Sequence, residues 1–417
     1  MLKKGGGKKV VIFKWTFWSL AILFYTYEFL LRVFPSVMIS GLMGAFHTDV
    51  GTIGVISALY FYIYAPMQIP VGVLVDRFGS QKLLAGALSL CVFSTFLFGI
   101  AQSLFFLGLS RILIGLGSSF AFVCLMYVTS HWFPRKRLGL LIGISNILAM
   151  VGAIAGEGPI SLVEELVGWR YTVIILSVIG FALTISVFLL LLNQPVKIEI
   201  KKTKAKSIRE SIHNFLTISR QKKSWMNALC ALFLYLPTSG FAALWGVPFL
   251  QKVHGMDRSM AGFATSMIFV GWIVGGPLLG YYSDKIKKRR PFLLLFSLLG
   301  GIVFFPVILF PLSGTLIYLL LFAVGICSSS QLLNYAYAID QHSQQMTGAV
   351  IAFTNFLTML GGAVFQTLIG VFLDLFPQST PITLRYTFTM SIFPAAFFLS
   401  FIFALFIREK HPGRRKA

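Results

Sequence analysis

Acidic residues are scarce in this chain: 13 Asp and Glu stand against 35 Lys and Arg in 417 residues, and charged residues make up 12%. A soluble domain is nearer a quarter charged, so an ordinary soluble fold is excluded. Cysteine is scarcer still. Cys91, Cys124, Cys230 and Cys327 each lie inside an apolar run, which argues against a disulfide or metal framework and reads as small buried hydrophobes. There is no metal-ligand cluster, no Gly-x-Ser-x-Gly elbow and no phosphate-binding loop. An enzyme is therefore the least favoured class, and no cofactor is expected. No small-residue cleavage site follows a short apolar core, so the basic start MLKKGGGKKVVIFKW reads as the flank of an uncleaved first helix. Long polar stretches are missing too, with one exception: NQPVKIEIKKTKAKSIRESIHNFLTISRQKKS, from Asn193 to Ser224.

What is present is apolar sequence. Hydrophobic residues are 57% of the chain, and its mean hydropathy is +0.84. Runs long enough to span a bilayer as helices recur along nearly the whole length. Turn and charge signals cut them into twelve spans, at about 15–40, 50–75, 82–101, 104–131, 138–166, 170–192, 224–251, 258–283, 291–311, 314–340, 346–374 and 384–407. The expected fold class is an all-α polytopic membrane protein.

The net charge of +22 could suggest nucleic acid, but the charges punctuate the apolar runs and form no continuous face. They follow the positive-inside rule instead. With the N-terminus in the cytoplasm, 29 of the 35 Lys and Arg fall in cytoplasmic segments and four in outer loops (Arg170, Lys252, Arg258, Arg385). Arg32 and Arg111 remain inside spans. Both termini are therefore expected in the cytoplasm, with the chain in the inner membrane.

The two halves repeat. At an offset of 208, Asp49 meets Asp257, Gly54 meets Gly262, Gly72 meets Gly280 and Asp76 meets Asp284. At 209, GLLIGISNILAMVGA from Gly139 meets GAVIAFTNFLTMLGG from Gly348, pairing Asn146 with Asn355. Duplication implies two pseudo-symmetric six-helix bundles, residues 1–193 and 224–417. The basic linker 194–223 joins them, part of it amphipathic and suited to an anionic leaflet.

After the second span comes GVLVDRFGSQK, with Gly72, Asp76, Arg77, Gly79 and Lys82; its duplicate after the eighth is GYYSDKIKKRR, with Gly280 and Asp284. The small residue is expected to let two helices approach closely. The Asp can pair with cations or a helix N-terminus and latch the cytoplasmic side. This motif resembles the loop signature of the major facilitator superfamily, though Ser80 and Gln81 precede Lys82 where that signature is basic. SRILIGLGSS from Ser110 resembles its fourth-helix element. GAIAGEGPI from Gly152 partly matches its fifth-helix Gly-Pro element, to which Glu157 is foreign. HWFPRKRLGLLIG with GWRYT resembles members carrying organic anions and related solutes. The resemblance implies secondary transport by alternating access around a central cavity lined by the first, fourth, seventh and tenth helices.

Four ionisable groups lie within the N-terminal spans. In FYTYEFLLRVFP, Glu28 and Arg32 share a helix face at i, i+4. At ~1.5 Å per residue Glu28 lies about 21 Å past Lys14, near the midplane. An isolated charge there costs on the order of 3 kcal/mol or more. Arg111 and Glu157 sit toward the outer part of the same bundle. The C-terminal bundle offers Tyr235, Trp245, Gln331, Asn334, Tyr335, Tyr337, Asn355 and Gln366. These residues suggest a solute and proton pathway of Glu28, Arg32, Arg111, Glu157, Tyr25, Trp245, Gln331, Asn334, Tyr335 and Asn355. Arg32 would bind an anionic group, Glu28 or Glu157 would exchange a proton, and Arg111 would tune that acid. The plainer alternative is that Glu28 and Arg32 neutralise each other and pin the first helix, with Glu157 a packing group. The tyrosines of YFYIYAPMQIP recur every second residue, so they cannot all face one cavity. His131 reads as interfacial rather than as a proton carrier.

The seventh span has no Lys or Arg, whereas a sugar-phosphate exchanger of the superfamily would be expected to clamp phosphate between basic residues of both bundles. Carboxylates, amino acids, short peptides and carboxylate siderophores stay open as solutes. The expected partners are the solute, protons and lipid, with a functional monomer. Sugar-phosphate exchange, a lipid flippase and a non-transporting solute sensor are the alternatives.

Overall fold

A computed structural model describes residues 4–193, 208–343, 346–377 and 379–409. Among these, eleven helices are long and apolar enough to cross a membrane. One of them, Lys136–Leu192, has 57 residues and would extend about 85 Å, nearly three hydrocarbon thicknesses. It breaks at Gly168, whose φ of 76° is left-handed and suits glycine. The break makes twelve crossings: α1 (Lys9–Phe46), α2 (Val50–Phe78), α3 (Ser80–Ile100), α4 (Leu104–Trp132), α5 (136–167), α6 (169–192), α7 (Lys222–His254), α8 (Arg258–Ile286), α9 (Arg290–Leu309), α10 (Gly314–Asp340), α11 (Thr347–Leu375) and α12 (Ile382–Leu405). By alternation, the start of α1, the end of α6, the start of α7 and the end of α12 lie on one face, here the terminal face. The loops after α1, α3, α5, α7, α9 and α11 lie on the other, the distal face.

Two bundles of six helices result, α1–α6 and α7–α12. They meet chiefly along two seams, α2 against α11 and α5 against α8. Inside a membrane the hydrophobic effect does not press helices together, so small residues that let backbones touch matter more. At Gly115 of α4 a Cβ would lie 2.4 Å from the Tyr60 carbonyl oxygen of α2. At Gly325 of α10 it would lie 2.1 Å from that of Ile268 in α8. The two contacts occupy corresponding places in the two bundles.

Four crossings are not regular helices: α10 is interrupted at Ser330 and Gln331 and α12 at Ser391, and two more change helix type. In α1 a 3₁₀ stretch runs Phe34–Met38 behind Pro35, and in α7 a π-helical segment runs Pro237–Trp245. Proline removes a backbone donor and clashes with the preceding turn. The 3₁₀ and π-helical segments pack on each other between the bundles.

Of the linker, residues 194–207 lie outside the described residues. Ile208–Ser219 is a helix. Its Phe215 packs edge-on against Phe353 and Phe356 of α11, while Ile208, Ile212 and Leu216 are exposed at four-residue spacing. It is amphipathic, as expected.

Candidate functional site

Near mid-membrane, helical spacing stacks Glu28 and Arg32 on one face of α1. The guanidinium donates to Glu28 Oε1 from Nη2 at 2.5 Å and from Nε at 3.2 Å. Tyr60 of α2 donates its hydroxyl to the same oxygen. Arg32 Nη1 reaches across to the Tyr235 hydroxyl of α7 at 3.3 Å, which joins the two bundles. Aromatic faces close the rest: the guanidinium carbon lies 4.2 Å from the Phe29 ring centroid and 5.0 Å from that of Tyr64. Trp272 of α8 stands edge-on to Tyr235 at 5.6 Å. Glu28 is fully buried, and its Oε2 has no hydrogen-bond partner among the described residues. A buried ion pair is weak evidence for stability, because desolvation offsets most of its attraction. An unused carboxylate oxygen beside a caged arginine is better suited to exchanging partners.

Tyr60 and Tyr64 were not singled out from sequence. Their i, i+4 relation inside the period-two run was the available signal. One turn further, Gln68 extends the polar path toward the terminal face. The Tyr335 hydroxyl donates to Asn355 Oδ1 at 2.9 Å, and Asn355 Nδ2 donates to Gln68 Oε1 at 3.1 Å, again across the bundles. Tyr25 packs edge-on to Phe29 and against Phe122 of α4, on the same side of α1 as the ion pair. Gln331 and Asn334 are buried in α10. Gln331 Nε2 and both amide atoms of the Asn334 side chain lack partners among the described residues. Nearby, Asn227 Nδ2 of α7 donates to the Asn334 carbonyl at 3.2 Å.

The remaining residues are placed elsewhere. Arg111 donates to the backbone carbonyls of Leu31 at 2.9 Å and Ser57 at 3.3 Å, rather than to Glu28 or Glu157. The Leu31 carbonyl is free because Pro35, four residues on, has no N–H to donate. Glu157 is buried two turns nearer the distal face, at the α5–α8 seam. Its Oε2 accepts from Ser36 at 2.8 Å, and its Oε1 is unpartnered among the described residues. Next to it, the Gly158 N–H donates to Ser266 of α8 at 3.2 Å. Trp245 is not beside Arg32. Its indole N–H donates to the Gln366 carbonyl at 3.2 Å, its ring covers Gly54, and Gln366 Nε2 ties back to Ser239 at 2.7 Å. His131 is exposed at the terminal end of α4, stacked on Tyr127 at 4.0 Å.

The duplicated loop motif differs from expectation in one respect. A Cβ at Gly72 or Gly280 would meet open space within 4 Å, so neither glycine serves a close helix approach in this conformation. Gly79 is needed for another reason: its φ of 82° makes the turn from α2 to α3. Asp76, Arg77 and Lys82 flank that turn on the terminal face. Asp284 pairs with Arg289 at 2.5 Å, and Arg289 also reaches Asp340 of α10 at 3.7 Å. This latch lies within the C-terminal bundle. The described cysteines are free and buried, and no group of three or more metal-ligating side chains occurs among the described residues.

A family model described as Major Facilitator Superfamily matches residues 17–366. The chain is 24% identical over 409 residues to the "Uncharacterized transporter YybO" of Bacillus subtilis (strain 168), covering 90% of this chain and 89% of that one. It is 24% identical over 277 residues to the "Probable sulfoacetate transporter SauU" of Cupriavidus necator, covering 60% and 62%. Among solved structures, a bacterial homolog of the human lysosomal transporter Spinster, inward-facing and occupied, matches with a TM-score of 0.75 at 16% identity, over 94% of this chain and 96% of that one. This last likeness shows the fold.

Proposed function

The chain belongs to the major facilitator superfamily as a multi-pass membrane transporter, and we propose that it moves a small carboxylate-bearing organic solute, coupled to protons, by alternating access. The carrying observation is the Glu28–Arg32 pair, buried at mid-membrane inside aromatic groups drawn from both bundles. In this reading a proton on Glu28 releases Arg32, and the solute carboxylate takes its place in bidentate contact with the guanidinium. The hydroxyls of Tyr60, Tyr64, Tyr235 and Tyr335 and the amides of Gln331, Asn334 and Asn355 bind the remainder. Glu157 is the second proton-accepting candidate. The basic punctuation supports an inner-membrane location with both termini cytoplasmic, one chain forming the functional unit.

A single arginine in the cage suits a carboxylate, an amino acid, a short peptide or a carboxylate siderophore better than a phosphate ester. Arg111 is committed to backbone carbonyls, and the π-helical segment of α7 beside the cage supplies no cation. The relative named for sulfoacetate supports a small organic anion. The test is uptake by proteoliposomes of a solute panel, with and without an inward proton gradient. Accumulation of a carboxylate that depends on the gradient is expected. Phosphate-ester exchange indifferent to the gradient, movement of labelled lipid alone, or binding without flux would each overturn the proposal, in favour of an exchanger, a flippase or a sensor respectively.

A further inference from the structure

The duplication that relates the bundles also relates two hydrogen bonds between them. On the distal face the Gly51 N–H, in the first turn of α2, donates to Asp374 Oδ2 at the end of α11, at 2.7 Å. The Ser259 N–H, in the first turn of α8, donates to Glu165 Oε1 at the end of α5, at 2.9 Å. Residue 51 maps to 259 at the offset of 208 already found for the α2 region. Residue 165 maps to 374 at the offset of 209 found for the α5 region. One bond is therefore the pseudo-symmetric image of the other.

The two places share a helix N-terminus but differ in burial, the Gly51 bond being part-buried and the Ser259 bond exposed. The first turn of a helix has N–H groups without intrahelical acceptors and carries the positive end of the macrodipole. Asp49 and Asp257 stand at the N-caps, and Asp49 Oδ1 accepts from the Thr52 N–H at 2.6 Å. That bond holds the Asp49 carboxyl below its ordinary range. Asp257 makes no such side-chain bond among the described residues; at both ends the opposite bundle supplies a carboxylate that takes a first-turn N–H.

We propose that these two carboxylates form a paired clasp that seals the distal face during the transport cycle. Each bundle lends an acid from its fifth helix to the second helix of the other. Opening the distal face requires both bonds to break, because each spans a seam. The seams are not equal. At the α5–α8 seam, Arg258 adds an ion pair with the buried Glu164 and a bond to Ser40 at 3.0 Å. The corresponding positions at the α2–α11 seam are Val50 and Leu373, which can form no ion pair. The α2–α11 seam is thus the weaker half and parts first.

The proposal rests on alternating access but on no particular solute. Its test is the distance between spin labels at two exposed distal positions, Phe105 on the N-terminal bundle and Leu384 on the C-terminal one, in the purified full chain. The expected wild-type distribution is dominated by one short distance. Removing one first-turn carboxylate should raise the open-to-closed ratio roughly threefold to tenfold in Asp374→Asn or Glu165→Gln. The double variant should raise it by about the product. Asp374→Glu and Glu165→Asp keep the charge and should stay near wild type, which separates the clasp from a folding defect. A double variant with the wild-type distance distribution would refute the clasp even if carboxylate transport is confirmed. A normal response of the labels with no transport of any panel solute would leave the clasp standing and sink the solute assignment.

Discussion

The two bundles share a backbone plan and differ in chemistry. Every buried charged side chain among the described residues, namely Glu28, Arg32, Arg111, Glu157 and Glu164, belongs to the N-terminal bundle. The buried polar side chains described in the C-terminal bundle are all Ser, Thr, Asn or Gln. Duplication preserved what packing demands, such as Gly115 against Tyr60 and Gly325 against Ile268. It did not preserve ionisation, which is expensive in a membrane and is kept where it is used. In the proposed cycle the N-terminal bundle supplies charge that can change. The other supplies neutral groups, such as the Tyr235 hydroxyl that accepts from Arg32.

The sharpest way to break this contrast is Arg32→Met. It removes the lone caged cation and leaves Glu28 buried and unpaired; breaking a buried pair costs about 3–5 kcal/mol. Solute-induced thermal stabilisation should vanish, and a variant that still binds carboxylates with wild-type affinity would end the assignment. Glu28→Gln should come next: accumulation driven by a proton gradient falls by about tenfold or more, while solute exchange at equal pH persists. Parallel loss of both activities would instead mark Glu28 as a binding group. Third, Gly115→Val and Gly325→Val test the shared half of the comparison. Each forces two backbones apart and should destabilise by about 1–3 kcal/mol, read as similar drops in Tm; a drop in one bundle only would mean that the scaffold is not equivalent. The smallest effect is expected from Tyr235→Phe. Loss of one neutral hydroxyl should weaken binding by about threefold to tenfold with coupling to the gradient intact, so altered coupling would move a coupling role into the C-terminal bundle.

Much of the scaffold was legible because membrane insertion writes it locally. Basic residues mark one face, apolar runs set span length, and the break expected between 166 and 170 falls at Gly168. The ion pair was legible for the same reason, since Glu28 and Arg32 are neighbours on one turn. Its surroundings were not. Tyr235 lies 203 residues from Arg32, and Ser36 lies 121 from Glu157. Such partners are set by how helices rotate against each other, which periodicity in an all-apolar helix does not reveal. Trp245 reads from sequence as a cavity aromatic, yet the π-helical segment after Pro237 turns it against Gly54 and Gly370. Arg258 counted only as an outer charge, although it bonds to both Glu164 and Ser40.

Arg111 carries a mechanical consequence. Its guanidinium bolts the Leu31 carbonyl of α1 to the Ser57 carbonyl of α2. Fastened in this way, the two helices swing as a single lever. In the proposed cycle, a rotation that draws Arg32 off Tyr235 also drags Gly51 away from Asp374, which gears the centre to the rim.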